Sequence, residues 1–171
     1  RKNKNPFETN CKHPIIIDTL LMEYIEGDKL STLLKDQNIS DNVIFSSIKQ
    51  VILAISIAQE KLRLSHYDLH SDNVIMKKCD ENSMFLYVAS KTNQYCIPTY
   101  GYRAHIIDYG FSYTKDCENK SINSSLAHTN VGFMTNQFDY ISDPKLFLVS
   151  ISDELLSNRN SKKYNVLRNI V

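Results

Sequence analysis

The sequence is poor in glycine. Its four glycines, Gly27, Gly101, Gly110 and Gly132, lie too far apart for a G-x-G-x-x-G turn or a Walker-type loop. The chain therefore carries no glycine-rich phosphate cradle of its own. Cysteine is equally sparse: Cys11, Cys79, Cys96 and Cys117 form no C-x-x-C pair, and their spacing does not suggest a zinc site. They read as free thiols of a reducing compartment. No signal peptide is visible. An excess of one charge is also missing. Lys+Arg is 20 and Asp+Glu is 19, so the formal net charge is +1, and no electrostatic case arises for nucleic acid or acidic lipid. No uninterrupted apolar run approaches the ~18 residues that would span a bilayer. An initiator Met is lacking, since Arg1 stands first, and the chain reads as cut from a longer polypeptide.

What is present suits one domain or a large fragment of one. The chain has 171 residues, 42% hydrophobic and 10% aromatic, which argues against disorder. A core can form at this length, burying roughly 70% of the unfolded surface. Lys outnumbers Arg by 15 to 5, a bias that accords with an AT-rich genome such as that of a large DNA virus.

Residues 15–17 and 20–25 are short β-type runs that predict a hairpin or two adjacent strands. Glu26-Gly27-Asp28 reads as a turn, with Asp28 as a cap for a short helix through about Leu34. Ser40 and Asp41 offer N-caps for a long helix. Ile44, Ile48, Val51, Ile52, Ile55, Ala58 and Leu62 recur at helical spacing behind them. Val74-Ile75-Met76, residues 85–88 and residues 104–107 predict strands. Residues 111–138 read as a long functional loop. Ser142-Asp143-Pro144 is helix-start grammar, followed by the apolar Leu146, Phe147, Val149, Ile151, Leu155 and Leu156. The tail, 158–171, reads as polar and then apolar.

The chemistry gathers in His66-Tyr67-Asp68-Leu69-His70-Ser71-Asp72-Asn73, between an apolar helix and an apolar strand. Loops held by rigid elements are where catalytic groups are placed. Asp68 suits a base, and Asn73 offers an amide oxygen. Ile106-Ile107-Asp108-Tyr109-Gly110 ends another strand with a carboxylate. Asp and Asn oxygens suit Mg²⁺, which is held by few protein ligands together with substrate phosphates. His66, Asp68 and His70 also form an H-x-D-x-H cluster of the metallohydrolase kind. His13, His105 and His128 have no spacing that completes such a site. Taken singly, Asp68, Asn73 and Asp108 are each ordinary turn residues. Ser112, Thr114, Ser121, Ser124 and Ser125 read as a solvated loop rather than phosphosites, and Lys77-Lys78 and Lys162-Lys163 as solvated surface.

In order and spacing, H-Y-D-L-H-S-D-N followed by D-Y-G resembles the catalytic core of the protein kinase superfamily, H-x-D-L-x-x-x-N and D-F-G. Leu21-Met22-Glu23-Tyr24-Ile25-Glu26-Gly27 resembles its hinge. The resemblance covers residues from about 15 to about 156. It implies an α+β, mainly α fold: a protein-kinase-like C-terminal lobe with short strands at the hinge and cleft, the N-lobe largely missing. The whole chain, 1–171, is then a partial kinase domain, with 14–27 the last small-lobe strands and hinge and 28–171 the large lobe. By the same resemblance Asp68 accepts the proton of the acceptor hydroxyl and His70 is a phosphate-side donor. Met22 is the gatekeeper, Glu23 and Ile25 bond the adenine edge, and Asn73 and Asp108 hold Mg²⁺. His66 and Tyr109 are packing residues, and Gly110 allows the turn after the metal ligand.

The details are most similar to haspin and its viral relatives: His70 where most kinases have Lys, Ile97-Pro98-Thr99, Gln137-Phe138-Asp139 and Tyr164-Asn165-Val166-Leu167. The implied function is ATP- and Mg²⁺-dependent phosphoryl transfer to a protein Ser/Thr hydroxyl. The implied partner is a protein substrate, without nucleic acid or membrane, inside a cell, cytoplasmic or nuclear, including a virus-infected one. Tyr67 replaces the Arg of H-R-D, and no A-P-E follows D-Y-G. The carboxylate that anchors the catalytic loop is Asp139 by the Q-F-D match or Asp143 by capping grammar, with Asp143 slightly favoured. Without the upstream lobe, this segment is expected to be inactive alone. The alternatives are a small-molecule kinase of the aminoglycoside or choline type and a pseudokinase scaffold.

Overall fold

The computed structural model describes residues 19–115 and 138–157. The runs at 15–17, 121–125 and 158–171, with Gln137 of the Q-F-D match, lie outside the described residues. The described elements follow in the order β1 (Asp28–Lys29), α1 (Leu30–Lys35), α2 (Asp41–Leu62), a 3₁₀ turn (Ser71–Asn73), β2 (Val74–Lys78), β3 (Met84–Val88), β4 (Gln94–Pro98), β5 (Tyr102–Ile106) and α3 (Ser142–Ser157).

α2 forms where its grammar predicts. The Ser40 hydroxyl accepts from the Val43 N–H at 3.3 Å, and Asp41 places negative charge at the positive end of the helix dipole. The helix stops at Arg63, which takes a left-handed conformation with φ 52. By length and composition alone α2 could cross a bilayer. Its contacts are those of a core helix. Val43, Ile44, Val51 and Ile55 are buried in the core. Buried Gln50 donates to the Tyr102 carbonyl at 3.0 Å and accepts from the Ala104 N–H at 2.9 Å, which pins β5 to the helix.

β1, β2 and β5 form one antiparallel sheet in the order β1-β2-β5, with Val74 opposite Ile106 and Lys78 opposite Tyr102. Side chains alternate between faces. Val74, Met76, Tyr102, Ala104 and Ile106 meet the core, so Ile75, Lys77, Arg103 and His105 occupy the other face. β3 and β4 form a separate hairpin. The sequence pattern does not predict β4, because Gln94-Tyr95-Cys96-Ile97-Pro98 has no clean alternation and ends in Pro. It exists by pairing with β3, and Ile97 is buried.

Two expectations fail. Residues 20–25 form no strand; Leu20, Leu21, Met22 and Tyr24 are 78–91% exposed. A strand needs a ladder partner, and no described strand lies alongside them. Asp28 caps nothing: it pairs with Met76 in β1, and α1 begins after Lys29 without a side-chain cap. Gly27 is needed at that junction, since a Cβ there would lie 2.5 Å from the Met76 carbonyl oxygen.

The core joins α1, α2, β2 and α3 through Leu30, Leu34, Ile44, Leu69, Met76, Phe147 and Ile151. Leu69 ties that core to the polar loop at 66–73. It is fully buried, so the segment carrying Asp68 and His70 is plugged into the core between them. Phe147→Ala should destabilise the folded protein by about 3–5 kcal/mol, whereas Val149→Ala, two residues on and 57% exposed, should change it by less than about 0.5 kcal/mol. Urea denaturation of both variants checks this contrast.

Candidate active site

The loop at 66–73 leaves α2 through Ser65. Ser65 exchanges two backbone hydrogen bonds with Tyr113, at 2.9 and 2.8 Å. At the far end of the loop, the Ile107 N–H donates to the Asn73 carbonyl at 3.0 Å. These two ties lay the segment 107–113 along the loop, with Asp108 next in sequence to the residue bonded to Asn73.

The loop conformation is fixed from α3. The carboxylate of Asp143 accepts the His66 N–H and the Tyr67 N–H, each at 2.7 Å. Asp143 is fully buried. Burial pushes its carboxyl above the usual carboxylate range, and the two N–H donors pull it back. Of Asp139 and Asp143, it is the Asp143 carboxylate that accepts from the loop backbone. Asp139 instead organises the start of α3, accepting from the Ile141 N–H at 2.7 Å and the Ser142 hydroxyl at 2.5 Å. Tyr67 and Asp108 both take left-handed backbone conformations, each with φ 63. Non-glycine residues in that region cost about 1–3 kcal/mol and persist where surrounding contacts over-determine them.

His66 is completely buried. Its Nδ1 accepts from the Asp68 N–H at 3.3 Å, and its Nε2 lies 3.0 Å from the Ile107 carbonyl. Nε2 must therefore donate, so the ring is the neutral Nε2–H tautomer. Tyr109 packs on it with ring centroids 4.9 Å apart. Burial lowers the His66 pKa, against the raising influence of Asp143, Asp68 and Asp108. Gly110 follows with its N–H on the Asp108 carboxylate at 3.3 Å.

Asp68 and Asn73 are joined directly. The Asn73 Nδ2 donates to the Asp68 carbonyl at 2.9 Å and to its carboxylate at 3.0 Å. This commits the amide nitrogen and leaves Oδ1 as the acceptor end. His70 Nε2 lies 3.2 Å from the same Asn73 nitrogen and 3.5 Å from the other Asp68 oxygen. Among the described residues, no group of three or more His, Cys, Asp or Glu side chains could hold a metal. An Asn73 Oδ1 and an exposed Asp108 carboxylate do fit a hard cation that completes its shell with phosphate and water.

Met22, Glu23 and Ile25 stand apart from this cluster, and among the described residues no hydrogen bond links them to it. Met22 and Glu23 are exposed and Ile25 half-buried. Their strip runs on into β1, alongside an open depression of about 500 Å³ lined by Tyr24, Gly27, Met76 and Lys77 among others. Sequence reasoning gives no role to Ser31, Asp72 or Ser150. Ser31 Oγ donates to Asp72 at 2.6 Å, and Ser150 Oγ accepts from the Ser71 N–H at 3.1 Å. The place of Asp72 inside the motif is a signal that could have marked it; single serines carry no such signal.

No protein-family model matches the chain. It is 42% identical over 113 residues to Uncharacterized protein 098R of Invertebrate iridescent virus 6, covering 64% of this chain and 19% of that protein. It is 29% identical over 158 residues to Probable kinase 098L of Invertebrate iridescent virus 3, covering 84% of this chain and 29% of that one. Over 67 residues it is 34% identical to the serine/threonine-protein kinase haspin of Mus musculus, 39% of this chain and 9% of haspin. The chain is thus distantly similar to kinases, and it spans under a third of the length of each of these relatives.

The buried histidine has a consequence for pH. The unfolded chain protonates His66 near the ordinary value of 6.5, and the folded state resists it. Acid therefore favours unfolding: this contribution to stability is complete above 6.5 and is lost as pH falls below it. His105, lowered first by burial and then by Arg103 and Lys77, acts in the same direction. These two histidines should make stability, measured by urea denaturation, rise between about pH 5 and pH 7.5, against the opposite influence of the raised Asp143 carboxyl, and His66→Gln should remove part of that rise. An unchanged slope would contradict the buried neutral ring.

Proposed function

We propose that the polypeptide carrying this chain transfers the γ-phosphoryl group of ATP, with Mg²⁺, to Ser/Thr hydroxyls of a protein substrate. The observation that carries this reading is the Asn73 amide, turned so that its nitrogen holds Asp68 and its oxygen is left for a cation beside Asp108. The distant similarity to Probable kinase 098L and to haspin supports the same reaction class, and the haspin match supports a protein acceptor.

In this reading the acceptor hydroxyl lies against the Asp68 carboxylate. As the oxygen forms its bond to the γ-phosphorus, the bond from phosphorus to the ADP oxygen breaks, and the hydroxyl proton passes to Asp68. Asn73 holds Asp68 in place through its Nδ2. His70, beside Asp68 and Asn73, is the donor to phosphate oxygen in this reading. Mg²⁺, held by Asn73 and Asp108, supplies charge neutralisation when bound. On the strip that leads into β1, Met22 is the gatekeeper and backbone groups of Glu23 and Ile25 bond the adenine edge.

The full-length polypeptide should phosphorylate a Ser/Thr protein acceptor such as histone. Asp68→Asn should lower kcat by about 10²–10⁴-fold, and Asp108→Asn should abolish Mg²⁺-dependent turnover. Transfer to an aminoglycoside or choline but to no protein would favour a small-molecule kinase. Nucleotide binding without any transfer would favour a scaffold.

A further inference from the structure

The chain that runs on from the strip carrying Met22, Glu23 and Ile25 reaches the catalytic loop at Asp72. Downstream of the strip, Ser31 Oγ donates to Asp72 Oδ1 at 2.6 Å, and Lys29 Nζ lies 3.6 Å from the same oxygen. Ser31 is 4% exposed, so its hydroxyl is fixed. The Lys29 pair is open to solvent, 54% exposed on the lysine side and 49% on the aspartate side, and pairs of that kind contribute little. The Ser31 bond is the larger influence holding the Asp72 carboxyl below its usual range.

Asp72 in turn touches both of its working neighbours. Its N–H donates to His70 Nδ1 at 3.3 Å. The Nε2 of the same ring lies 3.2 Å from Asn73 Nδ2 and 3.5 Å from Asp68 Oδ1. Asp72 also directly precedes Asn73 within the 3₁₀ turn. A shift of Asp72 therefore moves His70 and Asn73 together. We propose that Asp72 is a positioning residue: its clamp to Ser31 sets the placement of His70 and Asn73 and couples the nucleotide-edge strip to the catalytic loop. The inference rests on the function proposed above. It assigns Asp72 no contact with the acceptor.

The test uses the full-length polypeptide with Ser31→Ala, Asp72→Ala, their double variant and the conservative Ser31→Thr. Two readouts are taken: kcat against KM, and deuterium exchange over residues 66–74 compared with α2. Ser31→Ala and Asp72→Ala should each lower kcat by about 10–100-fold while KM for the acceptor stays within about twofold. The double variant should be no worse than Asp72→Ala, because the two residues act through one bond. Ser31→Thr should retain activity. Exchange should quicken in 66–74 and not in α2.

A raised acceptor KM in Asp72→Ala with a silent Ser31→Ala would overturn the proposal, since Asp72 would then touch the acceptor. Exchange unchanged in 66–74, or quickened equally in α2, would overturn it as well. If the unmodified polypeptide transfers no phosphate, the proposed function fails on its own. The exchange result then decides by itself whether the clamp exists.

Discussion

The His66 and Tyr67 N–H groups converge on the Asp143 carboxylate, and the arrangement of the loop depends on that convergence. Burying a carboxylate costs several kcal/mol. Hydrogen bonds to a charged group return about 1.5–3 kcal/mol each. The two terms are of similar size, so the contact adds little net stability. Its effect is conformational. It holds Tyr67 in a left-handed backbone state, turns the His66 ring toward the Ile107 carbonyl, and so fixes the loop against the strand end that carries Asp108.

From this anchor the rest of the site is built by short links. Leu69 plugs the loop into the core. Asn73 ties back to Asp68 and, through its own carbonyl, to Ile107. Ser150 of α3 holds the Ser71 N–H, and Ser31 of α1 holds Asp72. Helices on two sides therefore grip a loop in which His66, Ser71 and Asn73 are buried and Asp68, His70 and Asp72 are half-buried. A rigid backbone that holds carboxylate, amide and imidazole groups in fixed places suits charge-stabilised group transfer.

Much of this was legible in the sequence. The polar cluster at 66–73 is contiguous, and Ser40, Ser142 and Pro144 announce the helices that hold it. Asp143 could be preferred to Asp139 because Pro144 belongs in a first helical turn. What escaped reading was long-range. The Ser31–Asp72 bond joins residues 41 apart, and no local rule marks either partner for the other. β4 exists only because β3 lies beside it. Residues 20–25 are composed like a strand yet form none, because strand composition acts only where a second strand supplies the ladder.

The most direct measurement is a crystal structure of the full-length polypeptide with Mn²⁺ and a non-hydrolysable ATP analogue, the metal located by anomalous scattering. The account predicts a metal peak within coordination distance of Asn73 Oδ1 and the Asp108 carboxylate, with the terminal phosphate turned toward Asp68. A metal bound elsewhere, or nucleotide bound with Asn73 and Asp108 uninvolved, would contradict it.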